Sequence, residues 1–283
     1  METGSVLTGQ RGVSLPFTDF CPPLLAEGES FQELLSELIV HGKQAGWKYI
    51  ECKGGRNLLP EAPPSLSFYG HTLDLSGGPE RLFAGCENGV RRAIRKAERA
   101  GVRVEFSHTL ESLRTFYALY CNTRKRHGLP PQPFTFFQRI WQHVLAREQG
   151  FVALGWQGQT PIAGAVFFHF GTKAIFKFGA SEEPFLPLRG NNLVMWEAIK
   201  RCARNGYAEL HFGRTSVGNE GLRAYKCGWG AREHRLEYFK YDLRRDTYVA
   251  LQDKAYGWHN RVFRLMPLSL SRLAGRLLCR HWS

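Results

Sequence analysis

Apolar side chains recur along this chain with two periods, and the changes between them divide it into elements. At residues 31–44 the spacing is helical: Phe31, Leu34, Leu35, Leu38 and Ile39 fall at i, i+3, i+4, i+7 and i+8. Ser30 and Glu33 have the spacing of a capping box at its start, and Gly42 and Gly46 mark its end. Residues 47–52 and 71–75 read as strands, separated by a Pro-rich loop at 61–64. One basic helix is expected over 80–100, closed by Gly101. Alternation at 102–106 predicts a strand. Two helical patterns follow, 110–126 and 134–147, and the prolines at 130, 131 and 133 block their fusion. Strands are expected at 151–156, 162–170 and 173–180, a helix at 191–204, a strand at 207–212, a short helix at 219–227 and a strand at 235–241.

From residue 102 the order is therefore β-α-α-β-β-β-α-β-α-β. This is an α/β layer fold, and three strands in succession argue against a Rossmann fold or a TIM barrel. Part of the pattern occurs twice. The helix and strand around Ala45-Gly46-Trp47 resemble those around Asn205-Gly206-Tyr207, at an offset of 206 − 46 = 160. A first unit of equal length would open before Met1. The expectation is tandem units with the first incomplete, from a late start at Met1 or a naturally short form. The expected division is 1–101, a partial first unit with the basic helix; 102–245, a complete second unit; and 246–283, a basic tail.

Charge adds a partner class. The 283 residues hold 38 Lys+Arg against 25 Asp+Glu, a net charge of +13. Such a balance points to an anionic partner. One cluster spans 91–103, where Arg91, Arg95 and Arg99 form a helical stripe suited to nucleic acid or another polyanion. The other is the tail, which from Lys254 onward carries Arg261, Arg264, Arg272, Arg276 and Arg280 with no acid. An amphipathic helix is expected over 261–281, docked on the protein or touching an anionic membrane surface.

The longest uncharged run, residues 151–172, is broken by Gly155, Gly158 and Pro161 and reads as two strands and a turn, not a membrane span. No secretory leader pattern is present. Seven cysteines without a C-x-x-C pair argue against a disulfide framework. A cytoplasmic protein is expected, peripheral at the inner membrane face. No metal-ligand spacing appears among the histidines, and Walker, G-x-S-x-G and G-x-G-x-x-G motifs are absent.

Residues 224–230 (AYKCGWG) look like the GNAT acyltransferase signature on the last helix. Residues 13–19 (VSLPFTD), 91–102 (RRAIRKAERAGV), 123–129 (TRKRHGL), 191–199 (NNLVMWEAI) and 212–215 (FGRT), leading to Tyr225 and Lys226, resemble the FemABX peptidoglycan-bridge peptidyltransferases and their GNAT-like relatives. The resemblance implies a GNAT-like fold with two halves and transfer of an aminoacyl or acyl group onto an amine of a cell-envelope or polysaccharide precursor. It implies aminoacyl-tRNA as donor substrate and no cofactor. GNATs that use acetyl-CoA hold its pyrophosphate in an R/Q-x-x-G-x-G/A loop. Here Arg189 is followed three residues on by Asn192, where glycine belongs.

The resemblance assigns Lys226 to the donor's 3′ end and the oxyanion. A lysine on a short helix is expected to stay solvent-accessible. Tyr225 suits a general acid for a thioester donor. Arg214 suits phosphate binding, Asp19 the acceptor amine, and Asn219 a ligand contact or a helix cap. Lys226 beside Cys227 is expected to lower the thiol's pKa, with His211 and His234 as the histidines nearest in sequence. Two alternatives stand beside this reading: an acyl-CoA-dependent GNAT N-acetyltransferase, and a non-catalytic RNA- or membrane-binding protein.

Overall fold

In a computed structural model, residues 1–5, 8–251 and 258–279 are described. The first half contributes β1 (Glu2–Ser5), β2 (Gly9–Val13), α1 (Phe31–Gln44), β3 (Tyr49–Lys53), β4 (Leu66–Asp74), α2 (Gly78–Gly85) and α3 (Asn88–Arg99). The second contributes β5 (Arg103–Ser107), α4 (Leu110–Arg126), α5 (Phe134–His143), β6 (Gly150–Gln157), β7 (Thr160–Phe170), β8 (Lys173–Ser181), α6 (Gly190–Arg204), β9 (Glu209–His211), β10 (Thr215–Ser216), α7 (Glu220–Cys227), β11 (Arg232–Asp242) and β12 (Thr247–Tyr248). α8 (Trp258–Leu265) and α9 (Leu268–Leu278) follow.

The described strands join one sheet in the order β1-β2-β3-β11-β4-β9-β8-β7-β6-β5, with β10 pairing to β4 and β12 to β11 beside this path. The order is palindromic about the β4–β11 pair. β2 and β3 are parallel around α1, as β8 and β9 are parallel around α6. The late strand of each half has crossed over: β11 pairs with β3, and β4 pairs with β9. The repeated helix ends share their geometry. Gly46 and Gly206 adopt φ of +69° and +78°, and the amides of Trp47 and Tyr207 reach back to the carbonyls of Gly42 and Cys202. Left-handed backbone at C′ explains why glycine stands there in both copies. Among the described residues, the first half has no counterparts of β5, β6, α4 and α5. The expected α/β fold of two related units is the fold observed, and among the described residues the first unit is the shorter.

One core packs α2, α3 and α6 against one face of the sheet, with Trp229 and Phe212 fully buried. A second packs α4 and α5 on the other face through Phe116, Tyr120 and Phe137. A third gathers Phe31, Leu35 and Trp47 against Ile50 and Phe239.

Several expectations are corrected. The basic helix is two helices: Cys86 is extended at φ −69°, ψ 144°, and the Glu87 amide donates to Gly228 O at 2.8 Å. Ser30 occupies the N-cap of α1 but makes no side-chain capping bond. The helix expected over 134–147 ends at His143, and a short 3-10 turn follows. The tail forms two helices instead of one, because Pro267 cannot continue α8. Lys254 and Arg280 lie outside the described residues. All seven cysteines are free.

Candidate functional site

β8 and β9 pair only through Lys173–Ile175 and Glu209–His211. The segment from Leu15 to Asp19 lies at the site where the following residues meet. Lys53 Nζ donates to Leu15 O at 3.1 Å, Lys177 Nζ to Phe17 O at 2.7 Å, and the Tyr238 hydroxyl to Asp19 O at 2.6 Å. Phe17 takes a left-handed φ of +58°, and its ring meets Phe136 of α5 at 5.4 Å. These contacts carry the Asp19 carboxylate over Gly213. A Cβ added at Gly213 would sit 3.1 Å from Asp19 Oδ2, and Gly213 has φ +72°. The position therefore demands glycine twice over.

Three cations surround that carboxylate. Arg214 Nε is 3.8 Å from Asp19 Oδ1 and Lys177 Nζ is 4.0 Å from Oδ2. Arg214 also stacks on Phe68, 4.3 Å from the ring centre, and donates to the Tyr238 hydroxyl at 3.1 Å. Lys226 lies beneath the turn, donating to Gly213 O at 2.9 Å and Arg214 O at 3.2 Å. Burial lowers the pKa of Lys226 to about 8, against the pull of Asp19. Burial also lowers that of Lys177. Such a cluster, with more positive charge than the one carboxylate cancels, suits a site where negative charge develops.

Beside the cluster opens a cleft of about 580 Å³, lined by Asp19, Phe20, Phe168, Ile175, His211 and His234 among others. His211 Nδ1 accepts the Gly213 N–H at 3.0 Å. Burial first, then His234, pushes the His211 pKa down to about 4. At neutral pH His211 is therefore a neutral ring whose Nε2–H is the donor. Nearby, His71, Cys227 and Glu233 bring metal-ligand atoms within 4.8 Å of one another. Glu233 is engaged there by Arg223 through two bonds, 2.9 and 2.8 Å, and by His71 at 3.0 Å.

Asp19, Arg214 and Lys226 thus converge from three distant stretches of sequence. Lys226 is only 3% exposed, which overturns the expectation of an accessible lysine. The neighbouring Tyr225 instead packs on the α2–α3–α6 core, 6.1 Å from the Trp229 ring, and burial pushes its phenol up to about 12. Asn219 caps α7, its Oδ1 accepting from the Leu222 amide at 3.1 Å. The Cys227 thiol is pushed up in pKa by burial and by Glu233, the reverse of the expected effect of Lys226.

Arg91, Arg95 and Arg99 lie on α3, which packs with α6, whereas cleft-lining Phe168 packs with the α4–α5 core. Arg91 donates to Ala84 O at 2.7 Å and Arg99 to Arg95 O at 3.2 Å, while Arg95 stacks on Phe83. At the start of α6, Asn192 N donates to Arg189 O at 2.9 Å. A Cβ on Gly190 would lie 3.0 Å from Ile162, so this glycine serves helix–sheet packing. Sequence reasoning missed Lys177, which stands in a strand without any motif, and it weighed His211 and His234 only as partners of Cys227. Their signal is spatial: the parallel pairing of β8 and β9 brings Lys177 and His211 to one place.

A family model described as the acetyltransferase (GNAT) domain matches residues 84–227. No curated protein matches the chain in sequence. Among solved structures, the chain is similar to FemX, at 16% identity and a TM-score of 0.57, covering 74% of this chain and 77% of that one. It is similar to the C-terminal domain of a putative lysylphosphatidylglycerol synthetase from Agrobacterium fabrum, at 14% identity and a TM-score of 0.57, covering 83% and 78%. It is also similar to a tandem GNAT protein from the clavulanic acid biosynthesis pathway, at 10% identity and a TM-score of 0.50, covering 78% and 73%.

Proposed function

Because the chain belongs to the family of acetyltransferase (GNAT) domains, we propose that it is an acyltransferase moving an aminoacyl or acyl group onto an amine of a cell-envelope or polysaccharide precursor. The observation that carries this reading is the cationic cluster of Lys177, Arg214 and Lys226 around Asp19, which also lines the cleft. In such a transfer the neutral amine nitrogen attacks the donor's ester carbonyl and a C–N bond forms. The C–O bond then breaks, and the proton lost by the nitrogen passes to the departing oxygen, which leaves as the donor's free hydroxyl. The carbonyl oxygen becomes an oxyanion on the way. Arg214 and Lys177 offer positive charge beside that oxygen, and Lys226 adds its own through the Gly213 turn that it holds. Asp19 accepts a hydrogen bond from the acceptor amine and orients it. His211, neutral at physiological pH, donates from Nε2 toward the departing oxygen.

An aminoacyl-tRNA donor is supported by the start of α6. Gly190 is occupied with packing, and Asn192 stands where a pyrophosphate loop needs glycine. The second reading, an acyl-CoA donor, is favoured by the description of the family model itself. Thermal-shift titration separates the two. RNA ending in 3′-CCA should raise Tm while coenzyme A does not. A shift with coenzyme A and none with the RNA would transfer the proposal to acyl-CoA.

A further inference from the structure

The last two helices leave several large apolar side chains exposed. In α8 Leu265 is 84% exposed, and in α9 Leu270, Leu273 and Leu277 are each more than half exposed. The spacing 270, 273, 277 places those three on one helix face. The docked face combines small and polar residues with half-buried Leu268, which packs on the α4–α5 core. Ser271 and Gly275 are buried, and a Cβ at Gly275 would lie 1.8 Å from Pro131 O. Asn260 Nδ2 donates to the carbonyls of His127 and Gly128 at 3.3 and 3.1 Å. An ordinary surface helix turns its leucines inward, whereas α9 leaves Leu270, Leu273 and Leu277 exposed.

Exposed Arg261, Arg264, Arg272 and Arg276 accompany the leucines, and residues 258–279 contain no acid. Arg272 and Arg276 line a shallow groove of about 340 Å³ with Tyr117, Phe134 and Leu273. The helices span 8 and 11 residues, too short to cross a bilayer, and no helix among the described residues is long and apolar enough to do so. Both lie against α4, on the side of the sheet where cleft-lining Phe168 packs.

We propose that α8 and α9 form a docking element for an anionic bilayer surface. Leu265, Leu270, Leu273 and Leu277 enter the acyl boundary, and the arginines bind lipid phosphates. Charge complementarity selects this occupant. A second copy would bring two acid-free arginine faces together in a protein of net charge +13. An anionic surface satisfies both the apolar stripe and its cations. The inference concerns binding alone and holds whichever donor the cleft takes.

Vesicle sedimentation of the full chain tests it, with phosphatidylcholine alone and with phosphatidylcholine mixed with phosphatidylglycerol. The protein should pellet with the anionic vesicles and stay largely in the supernatant with the neutral ones. Replacing Leu270, Leu273 and Leu277 by Gln should abolish pelleting. Replacing Arg261, Arg264 and Arg276 by Gln should weaken it on the order of 100-fold. All these side chains are exposed, so circular dichroism and Tm should stay as in the parent protein. Equal recovery in the supernatant with both vesicle types would overturn the proposal. So would light scattering that shows a dimer, dissociated by the leucine substitutions, without vesicle binding.

Discussion

Lys226 occupies an unusual place for a lysine, almost wholly buried and bonded to two backbone carbonyls. Its folded pKa of about 8 lies below the ordinary 10.5, so between these values the unfolded chain binds the extra proton. The stability contributed by this group is therefore lowest below pH 8 and rises as pH climbs toward 10.5. Comparing Tm for the parent protein and Lys226→Met across that window should show the difference shifting in favour of the parent. A pH-independent difference would mean that burial does not depress this lysine. The same titration bears on turnover. If the charged form stabilises the oxyanion, the rate falls as pH rises through about 8, and Lys226→Met lacks that limb. Asp19, Arg214 and Lys226 were legible in the sequence because each sits in a stretch resembling a known family. Lys177 was not, since a lysine in a meander strand carries no pattern. The burial of Lys226 was not legible either, because it depends on the carbonyls of Gly213 and Arg214, which only the fold brings beneath Asp19.

At the scale of elements, most helices and the three-strand meander follow from periodicity, and the repeated helix–glycine–strand unit explains why two distant glycines behave alike. Gly46→Ala and Gly206→Ala should each cost about 1 kcal/mol, since a Cβ is strained at positive φ. Neither meets any atom within 4 Å, so packing does not add to the loss. Chemical denaturation should give similar values for both. A loss at one site alone would separate the two helix ends. What periodicity missed are features set by long-range pairing. β1 and β2 are glycine-containing strands without alternation, held by the hairpin and by β3. The break between α2 and α3 is fixed by the Gly228 carbonyl, 141 residues beyond Glu87 (228 − 87).

The whole molecule is joined through its exchanged strands. The 160-residue offset gave notice of two related halves, but no local pattern tells a strand to pair with the other half. β4 sits between β9 and β11, so a fragment of residues 102–283 would leave β9 and β11 with unpaired edges. Such a fragment should aggregate or lack a cooperative unfolding transition, and residues 1–101 supplied in trans should restore one. Cooperative folding of the fragment alone would show that the exchange is dispensable.

The most direct measurement of the proposed chemistry follows amide product from aminoacyl-tRNA and, separately, from acetyl-CoA, with a primary amine as acceptor. Product should form from aminoacyl-tRNA and fall by about 10²–10³ in Lys226→Met, the cost of losing one preorganised oxyanion stabiliser. Product from acetyl-CoA alone, or unchanged turnover in Lys226→Met, would contradict it.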